Sequence, residues 1–108
     1  MKILFDNGTP APIAGSLVGH SVMRARQIGW EGLKNGDLIQ QAEEAGYDLL
    51  LSTDKNIKYQ QNLTGRRIAI VVLGNQQWPI VQRYLDRVAA AVNAATPGSY
   101  SEVEIPRY

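Results

Sequence analysis

The chain of 108 residues contains no cysteine and a single histidine, His20. The absence of cysteine excludes a disulfide framework and a thiolate-bound metal. One histidine is too few for a histidine-rich metal site, and His20, in a turn after Gly19, is interpreted as structural. Any metal that this chain binds would therefore be held by oxygen atoms.

The chain also lacks long apolar runs and a strong excess of charge. No run approaches the roughly 18 apolar residues that a membrane-spanning helix needs, and the stretch MKILFDNG has no small-residue cleavage site. We therefore expect a soluble, cytoplasmic protein without a membrane partner. A formal net charge of +1 does not by itself indicate nucleic-acid binding. The length fits a single domain, residues 1–108, with one core.

Short apolar runs alternate with segments of helical spacing. We predict strands at residues 2–5, 47–52 and 68–73, a shorter strand at 20–23, and an edge strand that includes Val103 and Ile105. The runs at 47–52 and 68–73 are continuously apolar, which is typical of parallel strands covered on both faces.

Between these strands, apolar residues recur with helical periodicity in two segments. Leu38, Ile39 and Ala42 predict a helix that stops at Gly46, and residues 77–95 predict one long helix. Residues 11–17 and 24–29 favour short helical segments or turns. Strands that alternate with helices indicate an α/β fold with a mostly parallel sheet.

An acid lies just after two of the predicted strands. Asp6 follows the first strand, and Asp54 follows the run LLLST. Ligands bind beyond the carboxyl ends of parallel strands, so these acids would converge if their strands are neighbours. Carboxylates about 4 to 6 Å apart repel unless one is protonated or a cation lies between them. Mg²⁺ or Mn²⁺ suits an oxygen-only site and favours phosphodiester hydrolysis.

A structural role for the same acids is the alternative. Thr53 or Asp54 could cap the turn that follows, and Asp6 could bond its own backbone in an Asx turn before Gly8. The spacing alone does not decide between a capping role and a metal-binding role.

Three stretches, KILFDNGTP, NGDLIQQA and LLLSTDKNIKYQQNL, in this order and at these separations, resemble the small stand-alone PIN-like proteins. These are relatives of the PIN nuclease superfamily, which includes the VapC-type toxins, and the resemblance covers about residues 1–73. It implies a three-layer α/β/α fold and, where active, cleavage of RNA with Mg²⁺ or Mn²⁺ held by three or four acids. It also implies RNA as a substrate, an antitoxin protein as a partner, and a homodimer.

Matched to the family motifs, Asp6 takes the place of the first acid and Asp54 that of the acid after the third strand. The acid at the start of the helix is replaced by Asn35, and the position two after Asp54 is Asn56. The resemblance therefore implies metal ligands at Asp6, Asp54, Asn35 and Asn56, with Asp6, Asp54 and Asp37 as the catalytic acids. Asp37 also has a structural explanation, because a carboxylate in the first turn of a helix is stabilised by the helix dipole.

The asparagines keep a ligating oxygen but supply no charge. A pair of unit charges 4 Å apart is worth about 4 kcal/mol at an effective dielectric constant near 20, so we expect weaker metal binding than in a four-acid site. Two functions stay open: a ribonuclease that acquires its metal together with the substrate phosphate, and a non-catalytic module that binds nucleic acid or a cognate protein. Glu31, in the loop upstream of the helix, could also reach the site.

Basic residues around the proposed site favour a polyanionic partner. The candidates for RNA binding are Arg26, Lys34, Lys55 and Lys58, and Arg24, Arg66 and Arg67 are also expected near this edge. Trp30, Tyr59 and the amides of Gln60, Gln61 and Asn62 could contact unpaired bases. The alternative is an ordinary solvated surface on which the aromatic rings are partly packed.

Overall fold

The computed structural model describes residues 1–60 and 63–107 of the chain, without the side chains of Tyr59 and Gln60. The base contacts that the sequence suggests for Tyr59, Gln60, Gln61 and Asn62 lie outside these described residues. Among the described helices, none is long and apolar enough to cross a lipid bilayer.

Five strands form one all-parallel sheet in the order β2-β1-β3-β4-β5. The strands are β1 (Lys2–Phe5), β2 (Ser21–Arg24), β3 (Leu49–Ser52), β4 (Ala69–Leu73) and β5 (Tyr100–Val103). All residues of β3 and β4 are buried, as continuous apolar runs predict for strands that are covered on both faces.

In the part of the chain that the structure describes, four α-helices connect these strands. They are α1 (Asn35–Glu44), α2 (Ile57–Gln60), α3 (Trp78–Val81) and α4 (Leu85–Ala94). Short 3₁₀ helices at Ala11–Ser16 and Ala25–Ile28 carry the chain into and out of β2.

Side chains alternate between the two faces of the sheet, because successive residues of a strand point to opposite sides. Phe5, Leu51 and Val71 pack on one face against α3, α4 and the first 3₁₀ helix. Leu4, Leu50 and Ile70 pack on the other face against α1, α2 and the second 3₁₀ helix. The fold is thus a three-layer α/β/α sandwich, and the predicted fold class is confirmed.

The single long helix predicted at 77–95 is wrong. The segment contains α3, a 3₁₀ turn at Gln82–Tyr84 and α4. Pro79 fits the start of α3, whereas Tyr84 leaves the helical region with φ −125° and ψ 25°. Val81, Val88 and Val92 are all buried, so the apolar spacing is satisfied on both sides of the break and does not reveal it.

Several predicted strand boundaries also differ from the structure. The strands predicted at 20–23 and 68–73 span Ser21–Arg24 and Ala69–Leu73, and two other differences are larger. The strand predicted at 47–52 begins at Leu49, because Tyr47 N still donates to Ala42 O (2.9 Å) in the turn that ends α1. The predicted edge strand is present as β5, but it ends at Val103 and Ile105 lies beyond it.

The order of the strands reverses between β1 and β3. The chain passes from β1 to β2 on one side and then returns to place β3 on the other side of β1. In open parallel sheets the crevice beyond the carboxyl ends at such a switch point is the usual position of a ligand site. Asp6 and Asp54 follow these two strands.

Candidate functional site

Strand pairing brings the segments that carry Asp6 and Asp54 side by side. Phe5 is level with Leu51 in the β1–β3 pair, and the ladder extends one step further because Asp6 N donates to Leu51 O (3.1 Å). The condition on which the two acids were expected to converge, that their strands are neighbours, is therefore met.

A buried serine connects the two aspartates. Ser52 is fully buried, and its Oγ donates to Asp6 Oδ2 while it accepts a hydrogen bond from Asp54 N (3.0 Å). Sequence reasoning missed Ser52. The available signal was a hydroxyl inside a strand that is otherwise apolar, since a buried polar group needs a hydrogen-bond partner.

The second carboxylate oxygen of Asp6 contacts another buried hydroxyl. Thr9 Oγ1 lies 2.7 Å from Asp6 Oδ1 and 2.9 Å from Leu51 O. Thr9 N also donates to Asp6 O (3.2 Å), which closes the turn after β1. Asp6 is therefore fixed by Ser52 and Thr9, and its carboxylate does not form the Asx turn that was the structural alternative.

Asp54 combines a local role with a contact across the site. Its Oδ1 accepts a hydrogen bond from Asn56 N (2.9 Å), which is an Asx turn at the start of the segment that leads to α2. Its Oδ2 accepts from Asn35 Nδ2, at the first residue of α1. Asn35 is thus brought to Asp54, whereas the described contact of Asn56 is made through its backbone.

The remaining candidate acids lie around this pair. Asp37 is exposed in the first turn of α1, and Glu31 accepts a hydrogen bond at its backbone oxygen from Asn7 Nδ2 (2.7 Å). Within residues 1–60 and 63–107, no three Asp, Glu, His or Cys residues form a group suited to a metal ion. Neither acid completes a set of three with Asp6 and Asp54, and a catalytic role for Asp37 stays a prediction.

The loops after β1, β3 and β4 meet at the site because Gly8 has no side chain. A Cβ atom at Gly8 would lie 2.6 Å from Thr53 Oγ1, 3.5 Å from Gln76 Oε1 and 3.9 Å from Asp6 Oδ1. The first of these distances is shorter than van der Waals contact allows. The carboxyl edge of the sheet therefore closes into one surface around the two aspartates.

Several predicted RNA-binding residues lie at this edge. Arg24 and Arg26 line a recess of about 110 Å³ together with Asp6, and Lys55 lines a larger cleft with Thr53. Lys34 is exposed at the residue before α1. Lys58 forms an ion pair with Glu102 of β5 (3.1 Å).

Arg66 and Arg67 lie at the opposite edge, so their expected position near the site is wrong. Both precede β4 and contact Glu43, with Arg66 Nη1 3.7 Å from Glu43 Oε1 and Arg67 N 2.7 Å from Glu43 Oε2. A parallel strand must be entered at the amino edge of the sheet, and this topology carries the two arginines away from Asp6 and Asp54.

The hydrogen bonds of the pair determine what the site can bind. All the carboxylate oxygens of Asp6 and Asp54 accept a hydrogen bond from a protein donor, and each oxygen keeps a further lone pair. Asn35 donates through Nδ2, which leaves its carbonyl oxygen as a potential ligand. This set of oxygen donors fits a hard divalent cation.

Comparison of the chain with protein-family models, with curated proteins and with solved structures finds no match in any of the three. The fold and the site define a parallel α/β/α domain in which one buried serine connects the segments that carry Asp6 and Asp54 at the switch point. The resemblance to PIN-like proteins stays a prediction that rests on the sequence motifs.

Proposed function

We propose that this protein is a divalent-metal-dependent ribonuclease of the PIN-like type, with Mg²⁺ or Mn²⁺ held by Asp6 and Asp54. The observation that carries the proposal is the connection of the two carboxylate-bearing segments through Ser52 at the switch point of the sheet. Two carboxylates supply a charge that matches one divalent cation. Such an ion would polarise a phosphoryl oxygen and lower the pKa of an attacking water.

The protein residues around the pair would orient the ligands and attract the substrate. Ser52 and Thr9 fix the carboxylate of Asp6, and Asn35 orients that of Asp54. Arg24 and Arg26, beside Asp6, supply positive charge for the phosphates of a nucleic-acid chain. An antitoxin protein as partner, a homodimer and action in the cytoplasm are further parts of this proposal.

A non-catalytic PIN-like module is the second candidate. It is favoured by the protein hydrogen bonds that every carboxylate oxygen of Asp6 and Asp54 already accepts. These bonds satisfy the carboxylate oxygens within the protein, so neither acid requires a cation for stability. Such a module would bind nucleic acid or a cognate protein without cutting it.

Cleavage of a labelled, unstructured RNA in the presence of Mn²⁺ separates the two candidates. We expect the wild-type protein to cut the RNA, and Asp6→Asn or Asp54→Asn to lower the rate at least about 100-fold, or roughly 2.7 kcal/mol. Asp86→Asn is the matched control, since Asp86 is an exposed acid in the first turn of α4. An inactive wild-type protein, or an Asp6→Asn variant as active as the control, would eliminate the nuclease.

A further inference from the structure

A cleft of a different chemical character lies beside the segment that carries Asp54. It has a volume of about 560 Å³, and its lining includes Thr53, Lys55, Gln76 and Arg107. Thr53 connects it to the site, because this residue precedes Asp54 and its Oγ1 lies against Gly8. The cleft is therefore continuous with the loops that hold Asp6 and Asp54.

The charge of this cleft is positive. Among the residues that the structure describes, its lining contains a lysine and an arginine, polar amides, and no Asp or Glu. Within the same part of the chain, neither Lys55 nor Arg107 forms an ion pair. Glu102 and Glu104 line a neighbouring cavity that Lys55 also borders, and Glu102 is paired with Lys58. Glu102 and Glu104 thus line the neighbouring cavity and not this cleft.

The segment that carries Arg107 contacts the residues that follow β4. Asn75 Nδ2 donates to Pro106 O (3.4 Å), next to Arg107, and Gly74 N donates to Val103 O (2.9 Å). A Cβ atom at Gly74 would lie 3.0 Å from both Ile105 N and Val103 O. This close approach holds the segment after β5 against the end of β4.

We infer that this cleft is a phosphate-binding subsite, with Lys55 and Arg107 as its cations and the side-chain amide of Gln76 as a further donor. Ammonium and guanidinium groups form charge-assisted hydrogen bonds with phosphate oxygens. A volume of about 560 Å³ falls within the usual range for ligand pockets, of about 300 to 1,000 Å³, and accommodates a nucleotide-sized group.

The inference deepens the proposed function and rests on it only for the source of the phosphate. In a ribonuclease, the subsite would hold a phosphate next to the one that is cut, because Thr53, which lines the cleft, directly precedes Asp54. The bound group is either an internal phosphodiester or a terminal phosphate of the RNA. The test below distinguishes these two sources.

Binding measured without metal tests the subsite independently of catalysis. Fluorescence anisotropy in EDTA would compare short single-stranded RNAs, 3′-labelled and carrying either a 5′-phosphate or a 5′-hydroxyl. We expect Lys55→Gln and Arg107→Gln each to weaken binding about threefold to tenfold. Each should also reduce the slope of log affinity against log salt by about 0.7. Arg83→Gln removes an exposed arginine that does not line the cleft and should leave both quantities unchanged.

The outcomes separate this inference from the nuclease proposal. Equal losses for both RNAs identify an internal phosphodiester, and losses confined to the 5′-phosphorylated RNA identify a terminal phosphate. Wild-type affinity in both cleft variants, or an equal loss in Arg83→Gln, overturns the subsite. If the cleft variants bind weakly but the wild-type protein never cuts RNA in Mn²⁺, the subsite stands and the nuclease proposal fails.

Discussion

Ser52 lies at the last position of β3, where its hydroxyl contacts both aspartate segments. It is fully buried, donates to Asp6 Oδ2 and accepts from Asp54 N. A buried hydroxyl that acts both as hydrogen-bond donor and as acceptor restrains the positions of its partners, because leaving either partner without a hydrogen bond is unfavourable. At the residue scale, Ser52 thus joins the two aspartate segments that strand pairing already brings side by side.

Ser52→Ala should therefore destabilise the protein. The substitution leaves a carboxylate oxygen and a backbone N–H without this partner, and we expect a loss of about 2 kcal/mol in the free energy of unfolding. Urea denaturation measures it. Ser16→Ala is the matched control, because Ser16 Oγ makes one hydrogen bond, to Ile13 O (2.7 Å). If Ser52→Ala costs no more stability than Ser16→Ala, then Ser52 does not organise the site.

Glu43, at the opposite edge of the sheet, is a residue whose ionisation affects stability. Hydrogen bonds from the backbone N–H groups of Ile68 and Arg67, with a smaller contribution from the charge of Arg66, hold the pKa of Glu43 below its ordinary value of 4.5. Because the pKa of Glu43 is lower in the folded state than in the unfolded state, ionised Glu43 contributes its full stabilisation above about pH 4.5. This contribution is lost as the pH falls through the folded-state pKa.

Glu43→Gln should accordingly lower stability more at pH 7 than at pH 3. At pH 7 we expect the free energy of unfolding of the variant to be about 1 kcal/mol below that of the wild-type protein, a value already reduced for solvent screening. This difference should shrink in acid. Urea denaturation at several pH values measures it. Glu44→Gln is the matched control, because it also removes one exposed negative charge. The described hydrogen bond of Glu44 comes from a side chain, Gln40 Nε2 (3.2 Å), and not from the backbone. A difference that grows toward pH 3 would contradict this role of Glu43.

At the scale of elements, glycines allow the loops between helices and strands to pack closely. Gly98, before β5, has φ +76°, and a Cβ atom there would lie 2.7 Å from Arg66 O. Gly46, after α1, has φ +85° with nothing within 4 Å of its Cβ position. Both glycines occupy the left-handed region, but only Gly98 also permits a close approach of another backbone segment.

Alanine substitutions at these two glycines should differ in their cost. Gly46→Ala should lower the free energy of unfolding by about 1 kcal/mol, because alanine is strained in the left-handed conformation. Gly98→Ala should lose at least about 2 kcal/mol, because it adds a clash with a backbone oxygen that cannot rotate away. Thermal or urea unfolding of the two variants compares them directly. Equal losses would mean that the contact between Gly98 and Arg66 does not constrain the fold.

The strands were predictable from sequence because their burial follows from local composition. Runs such as LLLS and AIVVL are buried throughout, and a parallel sheet with helices on both faces covers such runs completely. The break at Tyr84 was not predictable, because the buried valines on either side keep a spacing that fits one continuous helix.

The site was predictable only in part. Asp6 and Asp54 were indicated by their positions after apolar strands, whereas Asn35 was indicated by the resemblance to PIN-like motifs alone. The bridging role of Ser52 and the cleft between Lys55 and Arg107 depend on which strands are neighbours and on how the segment after β5 returns to β4. Periodicity carries no information on such contacts between distant residues.

At the scale of the whole molecule, the two edges of the sheet differ in chemistry. The carboxyl edge carries Asp6 and Asp54, with Arg24 and Arg26 beside Asp6 and Lys55 in the adjoining cleft. At the amino edge, Arg66 and Arg67 contact Glu43. A net charge of +1 therefore does not describe the local distribution of charge, because basic side chains border both Asp6 and the adjoining cleft.

Titration with Mn²⁺, followed by the loss of the electron paramagnetic resonance signal of the free ion, tests the claim that Asp6 and Asp54 share a metal. We predict one ion per chain with an affinity near the millimolar range, at least about tenfold weaker in Asp6→Asn and in Asp54→Asn and unchanged in Asp86→Asn. Absence of binding at millimolar Mn²⁺, or equal binding by Asp6→Asn and the wild-type protein, would contradict the account.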